Sequence, residues 1–371
     1  MKIAIAHDWM FSMRGGEKVL ECLFELFPTS DLYVLVFDRK RVSNIIKKRK
    51  VITSFIQHLP LANKLYKFYL PLIPFAVESF YLMDYDLVIS SSHCLIKSVI
   101  TAPHTPHFCY CHAPMRYAYD MFDDYFKNTF PPLKWLFSFM LKMLRKWDIA
   151  TSKRVDYFLS NSKNIQGKIE KYYHRTSSVI YPPVDTDFFL PSGDKKDYYL
   201  IVSALVPYKK IDIAVEAFNS FKKDLIIIGE GPEMNRLRKM AENNIKFLGW
   251  KSDKEIRVYY QNCKALVFPG NEDFGIVPVE VQACGRPVIA FSKGGVLETV
   301  VEDLTGHFFH SQTPSSLLEG LREFELMDIN SEECRKNALR FGRERFKEEF
   351  KNTVDIKIKD FCKERFFKNA Y

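Results

Sequence analysis

Ten short apolar runs, most of them separated by stretches of helical periodicity, leave this chain few folds to adopt. Five lie in the first half, at residues 2–6, 32–36, 86–89, 107–111 and 157–160. Five lie in the second, at residues 199–202, 225–228, 246–248, 265–268 and 288–291. Runs this short read as buried strands. Their alternation with helical patterns predicts parallel, doubly wound sheets with helices on both faces. The pattern restarts near Asp197, after a polar segment that carries Pro182, Pro183, Pro191, Ser192 and Gly193. A chain of 371 residues suits two such domains.

Composition narrows the class. Hydrophobic residues make up 47%, enough for two cores, and the net charge of +9 favours anionic partners. Nucleic acid, anionic lipid and nucleotide-linked substrates all satisfy that charge. The eight cysteines form no regular framework: Cys109 and Cys111 are a C-x-C, and the others are scattered. They read as reduced thiols of a cytosolic protein. The opening MKIAIAHD turns polar too soon for a signal peptide and reads as a first strand. No run reaches the length of a membrane span; the nearest, residues 68–77, is broken by Pro71 and Pro74.

The segment FPGNEDFGIVPVE, residues 268–280, follows the apolar run 265–268 and leads into a helical pattern. Glu272 falls on the loop at the carboxyl end of a strand, where open α/β sheets bind ligands. Glu280 falls about two turns into the next helix. Gly275 lets a ligand approach backbone N–H groups near that helix start. Two glutamates at this spacing, with the strand before, FGIVP between and ACGRPVIA after, resemble the Glu-x7-Glu signature of family 4 retaining glycosyltransferases. The resemblance covers essentially the whole chain. It implies the GT-B fold: α/β, two Rossmann-like doubly wound domains facing a central cleft. The expected limits are an acceptor-binding domain at 1–190, a nucleotide-sugar domain at 191–350, and a final helix at 351–371 that crosses back to the first domain.

The resemblance also implies roles. The Glu272 side chain and the backbone of Phe274, Gly275 and Ile276 would hold the hexose hydroxyls, and Glu280 the ribose. In SALVPYKK, Lys209 matches the lysine that neutralises the leaving phosphate. The family's usual arginine falls at Ala204, a departure that Lys210, another cation or a different donor geometry would have to absorb. Gly15 and Gly16, in RGGE after the first strand, read alone as an ordinary turn; the family places such a loop toward the donor diphosphate. His112, in CHAPMRY, matches a His-x-P element beside the reacting sugar, with a positioning role. Arg116 and Asp120 are expected on the acceptor side.

Other motifs have plainer readings. Gly229-Glu230-Gly231-Pro232 lacks the third glycine of a dinucleotide fingerprint and reads as a strand-to-helix turn, with Pro232 near the first helical position. Gly294-Gly295 reads as a similar turn whose backbone can near the donor phosphates. Asp185-Thr186-Asp187 spells the metal-binding triplet of a different glycosyltransferase fold, but its YPPVDTDFF context matches a structural segment of family 4. No metal and no other cofactor are expected. Residues 133–147 place Leu133, Leu136, Phe137, Met140, Leu144 and Trp147 on one face, with Lys134, Lys142, Arg145 and Lys146 away from it. This is either a core-facing helix with a solvated basic side or a helix lying on an anionic membrane. No nucleic-acid module accompanies the charge.

CHAPMRY, YPPVDTDF and SALVPYKK look most like bacterial GDP-mannose-dependent mannosyltransferases of the O-antigen and capsule type. The expected activity is same-face transfer of mannose from GDP-mannose to a lipid-linked or polysaccharide acceptor. The expected location is cytoplasmic, peripheral on the inner membrane. A UDP-sugar donor and a catalytically silent subunit that binds a partner are the alternatives.

Overall fold

The computed structural model describes the chain except residues 12, 14, 121, 123–129, 193–194 and 369–371. The chain forms two compact units. One comprises Met1–Pro183 and the C-terminal segment from Phe346; the other is Val184–Arg345. The sequence pattern puts its breaks at 190/191 and 350/351. Residues 184–190 lie in the second unit because its backbone and side chains hold them. Val184 N–H donates to Phe341 O at 2.8 Å. Arg335 donates to the carbonyls of Thr186, Phe189 and Ala283 at 2.8, 2.8 and 3.0 Å.

The first unit holds seven parallel strands: β1 (Ile3–Met10), β2 (Asp31–Phe37), β3 (Val51–Thr53), β4 (Leu87–Ser92), β5 (His107–Cys111), β6 (Tyr157–Ser160) and β7 (Ser177–Val179). Their order in the sheet is β3-β2-β1-β4-β5-β6-β7. The second unit holds β8 (Tyr198–Val202), β9 (Asp224–Ile228), β10 (Ile245–Gly249), β11 (Ala265–Phe268), β12 (Val288–Phe291) and β13 (Gly306–Phe309), in the order β10-β9-β8-β11-β12-β13. Within each unit the chain steps outward from its first strand, then returns to that strand's other edge. This 3-2-1-4-5-6 winding creates a switch point between β1 and β4, and another between β8 and β11. All ten expected strands are present.

β3, β7 and β13 were not expected. All three lie at sheet edges, and β3 and β7 are three residues long and only partly buried. β1 runs to Met10 rather than ending near Ala6, because His7 and Asp8 are buried and bonded across the sheet. The first unit's core packs Ile5, Leu23, Val34, Phe108 and Tyr110 against Phe346, Phe350 and Val354 of the helix Arg343–Lys368.

The face that the helix Pro131–Thr151 buries overlaps the expected one at Leu144 and, partly buried, at Phe137, Met140 and Trp147, but is shifted around the helix. Leu141, Leu144, Asp148 and Thr151 are buried, whereas Leu133 and Leu136 are exposed. The cause is polar. Asp148 accepts from Lys97 Nζ at 2.5 Å and from the hydroxyls of Tyr119 and Tyr173 at 2.8 and 2.9 Å, with both charges fully buried. Burying one of these charges alone would be costly, so the pair fixes the rotation of the helix.

Candidate active site

At the second unit's switch point, the loop after β8 carries Lys209 and the loop after β11 carries Glu272. Lys209 Nζ donates to Glu272 Oε1. Lys209 ends the short turn Pro207–Lys209, and Lys210 adopts φ 55° as it turns into the helix Ile211–Phe221. Ala204, on the same loop, supplies no cation. Gly270 approaches Lys209 closely: a Cβ there would sit 3.3 Å from the Lys209 carbonyl oxygen.

A second loop sets the height of Glu272. Gly295 N–H donates to the Glu272 carbonyl at 2.8 Å, and Gly294 pairs with Glu272 as a β-bridge. Gly294 adopts φ 84°, and any Cβ there would collide with the Asn271 side chain and the Glu272 carbonyl. This turn therefore holds Glu272 through its backbone.

After Gly275 the helix Ile276–Ala283 begins, with the N-terminal N–H groups that such a start leaves without intrahelical partners. The Phe274 ring packs 5.5 Å from Phe341 and is buried, so the side chain is not presented to a ligand. Glu280, on the helix, is buried and accepts from Tyr260 OH at 3.1 Å. Below it, Gln282 Nε2 donates to Pro278 O and Thr299 O, and Asn337 Nδ2 donates to Gln282 Oε1. These bonds lock the helix to the Gly294-Gly295 turn's own helix, Val296–Thr299.

At the first unit's switch point, Gly15 and Gly16 open the helix Gly15–Leu26. A Cβ on Gly16 would lie 3.6 Å from both His112 Nε2 and His7 Cε1. The Gly16 backbone thus lies against two imidazoles. His112 follows β5; its N–H donates to Ser92 O, and its carbonyl accepts from Asn161. Burial and the neighbouring His7, His93 and Arg116 hold its pKa well below 6.5. Arg116, whose charge reaches His112, begins the short helix Arg116–Tyr119. Asp120 is engaged elsewhere, with Tyr172 OH and, at 2.9 Å, with Lys168. Arg14 lies outside the described residues.

His7, Asp8, Ser91 and His93 escaped sequence reasoning. Asp8 accepts four backbone N–H groups, from His93, Cys94, Leu95 and Ile96, at 2.8–2.9 Å. It pins the loop after β4 at the switch point. The only local signal was a His-Asp pair inside an otherwise apolar strand.

The segments with plainer readings fall as follows in the structure. Asp185 Oδ1 accepts from Phe188 N at 3.0 Å and so shapes its own turn. The Gly229–Pro232 loop is strapped to the β8 loop by Leu205 N–H to Glu230 O, which delays the next helix to Met234–Met240 and leaves Pro232 outside it. One group with metal-ligand geometry occurs among the described residues, Glu302, Asp303 and His307, where no such spacing was expected. His307 already lies between three carboxylates, with Nδ1 2.8 Å from Glu302 and Nε2 2.9 Å from Glu323. None of the eight cysteines is in a disulfide; seven are buried and Cys362 is exposed.

Two switch points with these loops match known families. Residues 14–188 match the model "Glycosyltransferase Family 4", and residues 185–341 match "Glycosyl transferases group 1". The chain belongs to these glycosyltransferases. An uncharacterized glycosyltransferase of Methanocaldococcus jannaschii is 32% identical over 51% of this chain and 54% of its own length. The O-antigen chain mannosyltransferase RfbU of Salmonella typhimurium is 30% identical over 46% of this chain and 50% of its own. The chain thus spans about half the length of the curated relatives it matches. Among solved structures, Anabaena HepE in complex with UDP and glucose superposes with a TM-score of 0.69 at 17% identity, covering 96% of this chain and 99% of that one. Sucrose-phosphate synthase of Thermosynechococcus elongatus gives 0.66 at 15% identity, over 98% and 99%. The fold of this glycosyltransferase is GT-B.

Proposed function

We propose that this glycosyltransferase moves mannose from GDP-mannose to a lipid-linked or polysaccharide acceptor, with retention at the anomeric carbon. The observation that carries the reading is the Lys209–Glu272 pair at the second switch point, beside the start of the helix Ile276–Ala283. A departing diphosphate needs a cation and N–H donors, and both stand on one loop cluster. On donor binding, Lys209 turns to the leaving phosphate and Glu272 takes sugar hydroxyls in its place. The helix-start N–H groups hold the donor, and Glu280 its ribose. The acceptor hydroxyl loses its proton to the leaving phosphate, so the reaction demands neither a separate base nor a metal. His112, with Arg116 beside it, is the first unit's candidate for positioning a sugar. Asp120, paired with Lys168, is the weakest of the acceptor-side candidates.

The mannosyl donor is supported by relatives named as O-antigen chain mannosyltransferases in Salmonella typhimurium and Escherichia coli. A UDP-sugar donor is the second reading, because a structural neighbour was solved with UDP and glucose. Thermal stabilisation against GDP, UDP, ADP and dTDP, in EDTA or with Mg²⁺, separates them. GDP-selective, metal-independent stabilisation is expected; a UDP-selective shift overturns the donor. Glu272→Ala should abolish turnover of GDP-mannose while the protein stays folded, and unchanged turnover would sink the assignment.

We further propose that the helix Pro131–Thr151 rests on an anionic membrane, where a lipid-linked acceptor resides. Phe130, Leu133, Trp135, Phe139 and Met143 are exposed, Trp135 by 72%, and Lys142 and Lys146 are exposed on the same helix. Apolar anchors with flanking lysines suit an interfacial helix. Arg145 turns inward, to Ala118 O and the Tyr119 ring, and is not part of this face. No described helix is long and apolar enough to cross a membrane. Flotation should follow vesicles containing phosphatidylglycerol and fail for Trp135→Asp or for Lys142→Glu with Lys146→Glu; equal flotation of all forms counts against this face.

A further inference from the structure

His7 and His112 flank Gly16, and one hydroxyl joins them. His7 sits near the carboxyl end of β1 with its ring buried. Its Nδ1 lies 2.8 Å from the backbone oxygen of Ser91. A carbonyl oxygen only accepts, so Nδ1 carries the proton. Burial, reinforced by His93, drives the ring's pKa down to about 3 against the pull of Asp8. The ring is therefore neutral at pH 7, with a single proton already placed. Nε2 is left as a bare acceptor, and it is buried without a hydrogen-bond partner. An unmatched buried acceptor is costly, and a ligand that donates to it recovers that cost.

The same serine reaches the second ring. Ser91 Oγ lies 3.2 Å from His7 Nδ1 and 2.8 Å from His112 Nε2. His7 offers its N–H toward Ser91, so the hydroxyl proton is released to bond His112 Nε2. His112 is neutral too, and its own proton then belongs on Nδ1.

We propose that His7, Ser91 and His112 form a relay that fixes both tautomers, and that His7 Nε2 accepts a hydrogen bond from a sugar hydroxyl of the substrate. His7 is a substrate-positioning residue; Ser91 acts through the two rings. The ligand rests on the sugar-transfer reading; the tautomers do not.

The test separates the two. In protein labelled with ¹⁵N-histidine, long-range ¹H–¹⁵N correlation should show His7 and His112 protonated at Nδ1 and bare at Nε2. Ser91→Ala should release His112 to the other tautomer, and Ser91→Thr should restore it. A proton on His7 Nε2, or no response of His112 to Ser91→Ala, overturns the relay whatever the enzyme's substrate. For the ligand, GDP-mannose and methyl α-mannoside are the probes. Movement of the His7 Nε2 resonance with GDP-mannose but not GDP assigns the donor sugar's hydroxyl; movement with the mannoside assigns the acceptor's. With GDP-mannose binding verified by thermal shift, an unmoved Nε2 under both probes overturns the contact. His7→Phe should then lower kcat/KM for GDP-mannose turnover roughly 10- to 100-fold, the worth of one lost hydrogen bond in a dry site, with His7→Gln recovering part. Should GDP-mannose neither bind nor turn over, the donor assignment fails and the tautomer result still stands.

Discussion

Glu272 shows how a side chain is placed by its backbone rather than by its own contacts. Its carbonyl is held by Gly295, and its carboxylate meets Lys209. Gly294→Ala must push Asn271 and Glu272 aside from a φ of 84°, a conformation that costs a non-glycine residue about 1–2 kcal/mol before any collision. Turnover should fall at least tenfold while Tm drops by only a few degrees; wild-type turnover would show that the turn does not set Glu272. Lys209→Ala should lose more turnover than Lys210→Ala, since Lys209 alone of the two meets Glu272.

His307 gives a pH signature at the same scale. Burial opposes its charge, but Glu323, Glu302 and Asp303 outweigh burial and raise its pKa above 6.5. A raised folded pKa stabilises fully below the unfolded value near 6.5, and the stabilisation disappears as pH rises through the folded value. His307→Gln should therefore cost stability at pH 6, about a few tenths of a kcal/mol given solvent screening, and progressively less toward pH 9. Urea melts at both pH values check it; an equal cost at each would refute the linkage. Sequence spacing exposed Glu272, Gly275 and Glu280 because all three lie within nine residues. His7 and Ser91 are 84 residues apart, and no local pattern couples them.

The helix Pro131–Thr151 carries the lesson at the scale of elements. Its apolar residues encircle it enough for two faces to look buried. Lys97 and Asp148 decide between them, and they are 51 residues apart. Asp148→Ala leaves Lys97 as an uncompensated buried charge and should destabilise the first unit by about 3–5 kcal/mol. Lys97→Met with Asp148→Leu should recover much of that, because an apolar pair removes both desolvation penalties. Denaturation of the single and double variants measures the difference, and an additive loss would contradict the pairing. Most strands were legible as short apolar runs recurring between helical stretches. β3 and β7, at partly exposed edges, lack such a run because only one neighbouring strand and little burial select their residues.

For the whole molecule, both sheets share one winding, and each brings its loops to a switch point between its first strand and its fourth. The C-terminal helix belongs to this scale too. Phe346 and Phe350 are fully buried beside Tyr110 in the first unit, 5.7 and 6.3 Å from its ring. Phe350→Ala should cost about 3–5 kcal/mol in that unit, seen as lost hydrogen-exchange protection along β5. Unaltered protection would mean that the helix is not needed by that core. The sequence by itself determined the strand–helix alternation, the two-fold repetition of the pattern, and the loop and helix start that bear Glu272 and Glu280, because each rests on periodicity or spacing within a few residues. Tertiary structure alone decided which face the long helix buries, how the Gly294-Gly295 turn holds Glu272, and that His7, Ser91 and His112 meet. Those outcomes depend on hydrogen bonds and buried charges between segments far apart in the chain, whose pairing energy exists only once the sheets have formed.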